Sequence, residues 1–198
     1  IRARAGRKIA ITRPKFGIRR ELLSMAQGNA KEYLEKSVSA VEHRSDMTVR
    51  ACERLRSLLR LSRYPKRMEC YDISNISGVD KVASMVVFTD GEADKVQYRR
   101  FRLKTVEGAD DFASLRETLR RRLQKLGTDE EERFPRPQLV VIDGGRGQLS
   151  SVKEIFDEMG VADIDLISLA KREEEVFVLW QDEPVRIDRR DYSLRLLQ

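Results

Sequence analysis

The sequence of 198 residues predicts an α/β fold: a mixed five-stranded sheet with flanking helices, preceded by an N-terminal helical segment. Three observations carry this prediction. From residue 65 onward, short runs rich in Val, Ile, Tyr and Phe alternate with amphipathic runs of helical period, the pattern of strands joined through helices. Asp90-Gly91 divides two strand-like runs, a strong hairpin signal. Before Pro65 the apolar residues recur every three or four positions instead, which is the spacing of one helix face.

Residues 1–17 are basic and broken by Gly6, Pro14 and Gly17, so they read as a linker with a short strand at Lys8–Ile11. Residues 18–64 form the helical lead-in. Leu22, Met25, Asn29 and Tyr33 follow helical spacing up to Val41, and a second helix is expected from Asp46, a plausible N-cap, to Leu61. Pro65 closes this segment, because proline pushes its predecessor toward extended geometry. Residues 65–198 make the main domain. Strands are expected at Met68–Ile73, Val82–Thr89 and Lys95–Lys104, then a helix over 109–126 with Leu115, Leu119 and Leu123 inward. A proline-containing acidic loop leads to strand Leu139–Asp143, helix Gln148–Met159 and strand Leu166–Leu169. Hairpin-like pieces at Val176–Trp180 and Val185–Ile187 follow.

The order β-β-β-α-β-α-β, with right-handed crossovers, is that of an RNase H-like domain. In that order the first strand and the strand after the first helix are neighbours at the sheet centre. Asp72 and Asp143 stand at the ends of those two strands. A carboxylate closing a buried strand is costly to desolvate unless a cation compensates it, and a divalent metal is the strongest common one. On the residues alone, two accounts stand level. The pair holds metal, or Asp72 bonds a nearby amide or Ser74 while Asp143 stabilises the Gly144-Gly145 bend.

Composition narrows the function classes. The chain carries 39 Lys and Arg against 33 Asp and Glu, a net charge of +6, and clustered basic residues favour nucleic acid. Cys52 and Cys70 lack metal or redox spacing and read as small buried residues in a reducing compartment. No run of about 18 apolar residues exists, which excludes a membrane-spanning helix. No signal peptide is recognisable, so a cytoplasmic location is expected. Ile1 in place of an initiator Met, and the stop at Leu196-Leu197-Gln198, read as a piece of a longer protein. Gly144-Gly145-Arg146-Gly147-Gln148 is either a tight turn or a phosphate cradle with Arg146 as counter-charge; it lacks the order of a dinucleotide fingerprint or a P-loop.

Seven stretches in order then resemble one family. They are Glu69-Cys70-Tyr71-Asp72-Ile73-Ser74, Val82–Phe88, Tyr98-Arg99-Arg100-Phe101, Lys104-Thr105-Val106-Glu107-Gly108, Asp110–Ser114, Val141–Leu149 and Leu169–Glu175. Together they resemble the C-terminal nuclease half of UvrC, the incising subunit of the bacterial UvrABC nucleotide excision repair system; residues 19–60 resemble its helical lead-in. The resemblance implies a DNA endonuclease domain that makes the incision 5′ of a lesion, with Mg²⁺ or Mn²⁺ as cofactor. It implies damaged double-stranded DNA as substrate and UvrB as partner through segments outside this chain. Asp72 and Asp143 match the two family aspartates, as catalytic and metal-binding residues. The third member, a histidine in an Arg-Asp-Glu-Ala-His-Arg motif, is expected after residue 198. The only histidine, His43, does not match it, so the piece alone is expected to be inactive and the domain to be truncated at its C-terminus.

Arg99, Arg100, Lys104, Arg146, Lys171 and Arg172 are the candidate DNA contacts, whereas Asp110 and Asp111 are as well explained by helix capping as by chemistry. The basic residues Arg116–Lys125 read mostly as solvated, with pairs such as Glu117–Arg121. Tyr71 and Tyr98 read as packing residues before stacking ones. The alternatives are a non-catalytic DNA- or protein-binding module on the same scaffold, and a nucleotide-binding α/β protein.

Overall fold

The computed structural model describes residues 13–76, 80–103 and 110–198, the side chains of 39–44, 74–76 and 80–81 excepted. The expected strand at Lys8–Ile11 and the candidate DNA contact Lys104 lie outside the described residues, as does the side chain of His43. The chain forms two compact units, the second being Ser45–Gln198. Helix α1 (Ile18–Leu59) is one element where the sequence predicts two. No Gly or Pro occurs between Asn29 and Leu59, so nothing interrupts the backbone ladder and Asp46 sits mid-helix instead of capping. In the first unit the helical spacing holds, but Ile18, Leu22 and Met25 are exposed.

In the second unit, β1 (Arg67–Ile76), β2 (Asp80–Thr89), β3 (Glu92–Ala93) and β4 (Arg99–Arg102) are followed by α2 (Asp111–Leu123) and β5 (Leu139–Asp143). Then come α3 (Arg146–Glu158), β6 (Asp165–Ala170), β7 (Glu175–Val178), β8 (Val185–Arg186) and α4 (Tyr192–Leu197). The sheet has eight strands in the order β3-β2-β1-β5-β6-β7-β8, with β4 also on β2. β1 runs antiparallel to β2 and parallel to β5, which is parallel to β6.

The predicted five strands are therefore present, with two differences. The third, expected from Lys95, begins only at Arg99 as β4, because Lys95–Gln97 form a 3-10 turn, and the short β3 precedes that turn. Beyond β6, Glu174 adopts φ 56°, reversing the chain so that β7 pairs back on β6 and β8 on β7. The Asp90-Gly91 turn forms as expected, both residues at positive φ.

Strand alternation sends side chains to two cores. Met68, Leu139, Val141, Ile167, Leu169, Val176 and Val178 meet Cys52, Leu55 and Leu59 of α1 and Leu194, Leu196 and Leu197 of α4. Tyr71, Met85, Val87, Val140, Ile142 and Leu166 meet Leu115, Leu119 and Leu123 of α2 and Leu149, Val152, Ile155 and Phe156 of α3. Each such fully buried aliphatic contributes about 1.5–3 kcal/mol over its exposed state. Within the second unit the sheet is thus sandwiched between residues 51–59 of α1 with α4 on one face and α2 with α3 on the other.

Candidate active site

The last pair in register between β1 and β5 is Tyr71 with Ile142. The next residue on each parallel strand is an aspartate, so Asp72 and Asp143 are neighbours just beyond that pair; Asp143 ends β5, whereas Asp72, expected at a strand end, lies within β1, which continues on β2 to Ile76. Alternation puts them on the face of Cys70 and Val141, covered lower down by α1 and α4. Neither is fully buried. Both line a cavity of about 330 Å³ with Ser84 of β2, Tyr98, Lys171, and Leu196, Leu197 and Gln198 at the end of α4.

Lys171 follows β6 and completes the cluster. Its Nζ donates to Asp143 Oδ2 at 2.6 Å, from an ammonium side chain that is half exposed. Partial burial alone lowers the pKa of this ammonium; the hydrogen bond and charge of Asp143, with Asp72 adding its field, carry it above the ordinary value. The pair therefore draws a cation onto itself. Cys70, beside Asp72, is neutral: burial pushes its thiol up to about 12, against a smaller opposing effect of Lys171. It offers no thiolate for metal or nucleophilic chemistry.

The donor set fits a hard divalent ion. Magnesium takes one or two carboxylates and keeps several waters, and two adjacent carboxylates opening on a cavity supply that much. Among the described residues no group of three or more His, Cys, Asp or Glu is arranged to hold a metal. Asp72 and Asp143 are the carboxylates that the described residues place on this cavity.

The other candidates divide. Arg100 is exposed and pairs in register with Ser84, a cavity residue. Arg172 is exposed beside Lys171. Arg99 instead donates to the carbonyls of Val96 and Tyr98, and its guanidinium lies 5.5 Å from the Phe134 ring. Arg146 donates to the carbonyl oxygens of Val178, Gln181 and Asp182 and pairs with the Asp182 carboxylate. It ties the start of α3 to the segment after β7. The glycine turn is closed internally too, since Gln148 Oε1 accepts from Gly145 N–H at 3.0 Å. A Cβ at Gly144 would lie 1.7 Å from that same Oε1. Asp110 caps α2, accepting from Ala113 N–H at 2.9 Å.

Sequence reasoning missed the support beneath the pair. Glu69 and Tyr71 point to the opposite face from Asp72, into the α2 side of the sheet. Glu69 is fully buried, bonded by Arg67 Nε and by Arg122 Nε, each at 3.0 Å, and by Tyr71 Oη at 2.8 Å. Arg122 also donates to the carbonyls of Phe134 and Pro135. Burial depresses this guanidinium's pKa, but Glu69 outweighs it and the net shift is upward. A signal existed: Leu115, Leu119, Arg122 and Leu126 follow a single helical stripe, so Arg122 occupies a core position. Arg116 and Arg120, expected as solvated, bridge to Glu154 and Glu158 of α3, while Arg121 pairs with Glu117 as expected.

The model of the UvrC RNase H endonuclease domain matches residues 56–198. UvrABC system protein C of Solibacter usitatus is 45% identical over 193 residues, covering 97% of this chain and 30% of its own length. Its counterpart in Dehalococcoides mccartyi strain BAV1 is 43% identical, covering 98% of this chain and 32% of its own length. The chain therefore spans about a third of these relatives. Among solved structures, human ENDOV aligns at 18% identity and TM-score 0.40, covering 62% of this chain and 57% of that one. The catalytic domain of Mos1 transposase, with raltegravir and Mn, aligns at 18% identity and TM-score 0.32, covering 63% and 60%.

Proposed function

Because the chain belongs to the family of the UvrC RNase H endonuclease domain, we propose that it is the metal-dependent domain that hydrolyses a DNA phosphodiester 5′ of a lesion in nucleotide excision repair. The observation that carries this reading is the adjacency of Asp72, within β1, and Asp143, at the end of the parallel β5, on a cavity that also holds Lys171.

Asp72 and Asp143 would hold Mg²⁺ or Mn²⁺. When bound, such an ion supplies Lewis-acid stabilisation of the phosphoryl oxygens and acidifies a bound water. The protein's own contribution is geometric and electrostatic. β1 and β5 fix the two carboxylates in neighbouring register positions, so little reorganisation accompanies charge build-up. Arg100 and Arg172, exposed beside the cavity, would neutralise flanking phosphates and set the strand's path without reading its sequence. Tyr71 is buried and bonded to Glu69, which leaves it no part in base stacking.

The resemblance implies that a histidine completes the site with Asp72 and Asp143, and the only histidine here, His43, does not match it. On this account the 198-residue chain by itself does not cut. UvrB would bind through other parts of a longer cytoplasmic protein. The test is incision of a duplex carrying a bulky adduct by a protein that continues past Gln198. Cutting 5′ of the adduct that requires Mg²⁺ or Mn²⁺ and stops with chelator supports the proposal. Cutting that is indifferent to chelator overturns it.

A further inference from the structure

We propose that Lys171 is a built-in counter-ion of the carboxylate pair, holding Asp143 in the metal-free protein and competing directly with the divalent ion for it. The inference rests on the metal-site reading above and extends it to a residue with a defined, opposing effect on metal affinity.

The geometry makes the competition unavoidable. Lys171 Nζ is 2.6 Å from Asp143 Oδ2, a full charge-assisted hydrogen bond. An ion bound by Asp72 and Asp143 would sit about 2.0–2.1 Å from its oxygens, which sets a double positive charge close to the ammonium. The two cations would repel each other across that carboxylate, so each weakens the other's hold on it. Lys171 is built to be the one that leaves. Its side chain is 50% exposed, against 27% for Asp143, and it lies in the turn after β6 instead of within the ladder. An ammonium on a flexible stem rehydrates readily when released.

The arrangement explains why two carboxylates can be fixed next to each other before metal arrives. Without a cation the two carboxylates would repel each other. With Lys171 in place the pair is pre-formed, at the cost of weaker metal binding. Once released, the ammonium remains at the rim of the cavity, where an anionic phosphate would enter.

Mn²⁺ binding, followed through the electron paramagnetic resonance of the free ion in the 198-residue chain at low ionic strength, separates the possibilities. Lys171→Met should bind Mn²⁺ more tightly than the parent, by on the order of fivefold, the scale of a partly exposed ion pair. Lys171→Arg, whose broader guanidinium holds a carboxylate by two bonds, should bind it more weakly than the parent. In chelator, Lys171→Met should melt below the parent, and Mn²⁺ should close that gap. Lys171→Gln gives a second neutral variant should the Met variant fold poorly. Asp72→Asn reports on the site itself. If Asp72→Asn abolishes Mn²⁺ binding while the neutral Lys171 variants bind unchanged or more weakly, the counter-ion role is wrong and the metal site stands. If neither the parent nor any variant binds Mn²⁺, both fall together.

Discussion

Arg122 of α2 and Glu69 of β1 are joined inside the protein by two hydrogen bonds, Nε to Oε2 at 3.0 Å and Nη2 to Oε1 at 2.8 Å. Arg122 is 1% exposed and Glu69 fully buried. This fork fixes β1 three residues before Asp72 and, through the carbonyls of Phe134 and Pro135, the loop that leads into β5 and Asp143. Removing one partner of such a pair leaves a buried charge short of compensation and costs about 3–5 kcal/mol. Arg122→Leu should therefore destabilise the protein by that order in urea unfolding. Arg67 still bonds Glu69, so the loss should lie toward the lower end. The double variant Glu69→Leu with Arg122→Leu should not recover it, because the buried Arg67 and Tyr71 Oη then lose their acceptor as well.

Stability at acidic pH should depend on Asp191. This residue caps α4, accepting from Ser193 N–H at 3.0 Å and Ser193 Oγ at 2.7 Å, and it pairs with Arg54. The Ser193 bonds, with Arg54 adding, hold its pKa below the ordinary carboxylate value. A folded pKa below the unfolded one means the contribution is present above the unfolded pKa of about 3.9 and is lost as pH falls through the folded value. Asp191→Ala should cost about 0.5–2 kcal/mol at neutral pH. The gap between variant and parent should narrow below about pH 4, read from urea midpoints across pH.

Gly91 and Gly127 offer a paired test of close approach. Both have positive φ, 77° and 72°. A Cβ at Gly91 would lie 2.9 Å from Thr48 Cβ and 3.0 Å from Thr48 O, where the β2–β3 turn rests on α1; at Gly127 it would meet nothing within 4 Å. Gly127→Ala should cost only backbone strain, about 1 kcal/mol. Gly91→Ala should cost at least about 1–3 kcal/mol more, since core contacts must shift as well. Thermal melts of the two variants decide the order.

The basic residues should separate into two behaviours. Arg100→Glu should weaken DNA binding across sequences and change the salt dependence, because a phosphate contact is lost. Arg146→Ala should lower the melting temperature with little change in affinity, since its guanidinium is committed to Val178, Gln181 and Asp182. Fluorescence anisotropy on labelled duplex, at two salt concentrations, distinguishes them.

Much of this architecture was legible from residue order. Period-two alternation with the Asp90-Gly91 turn gave the meander, and strand-helix alternation gave the crossovers that set β1 against β5. Asp72 and Asp143 were legible because both end apolar runs. Three features were not. The unbroken α1 follows from an absence of breakers, which weighs less on the eye than the cap-like Asp46. The hairpin-like pieces that form β7 and β8 are expected from the sequence, but the pairing of β7 back onto β6 depends on Glu174 entering a conformation that its residue type does not announce. The engagement of Lys171 with Asp143, and of Arg122 with Glu69, pairs residues distant in sequence; a charge count cannot tell them from solvated neighbours such as Arg172.

The most direct test of the central claim is 5′-side incision of a duplex bearing a bulky adduct, measured in a protein continuing past Gln198 with Asp72→Ala and Asp143→Ala introduced singly. Each substitution should lower incision by at least about a hundredfold, the scale of losing several kcal/mol of metal-held charge stabilisation, while folding and DNA binding persist. Undiminished 5′ incision in both variants would contradict the account.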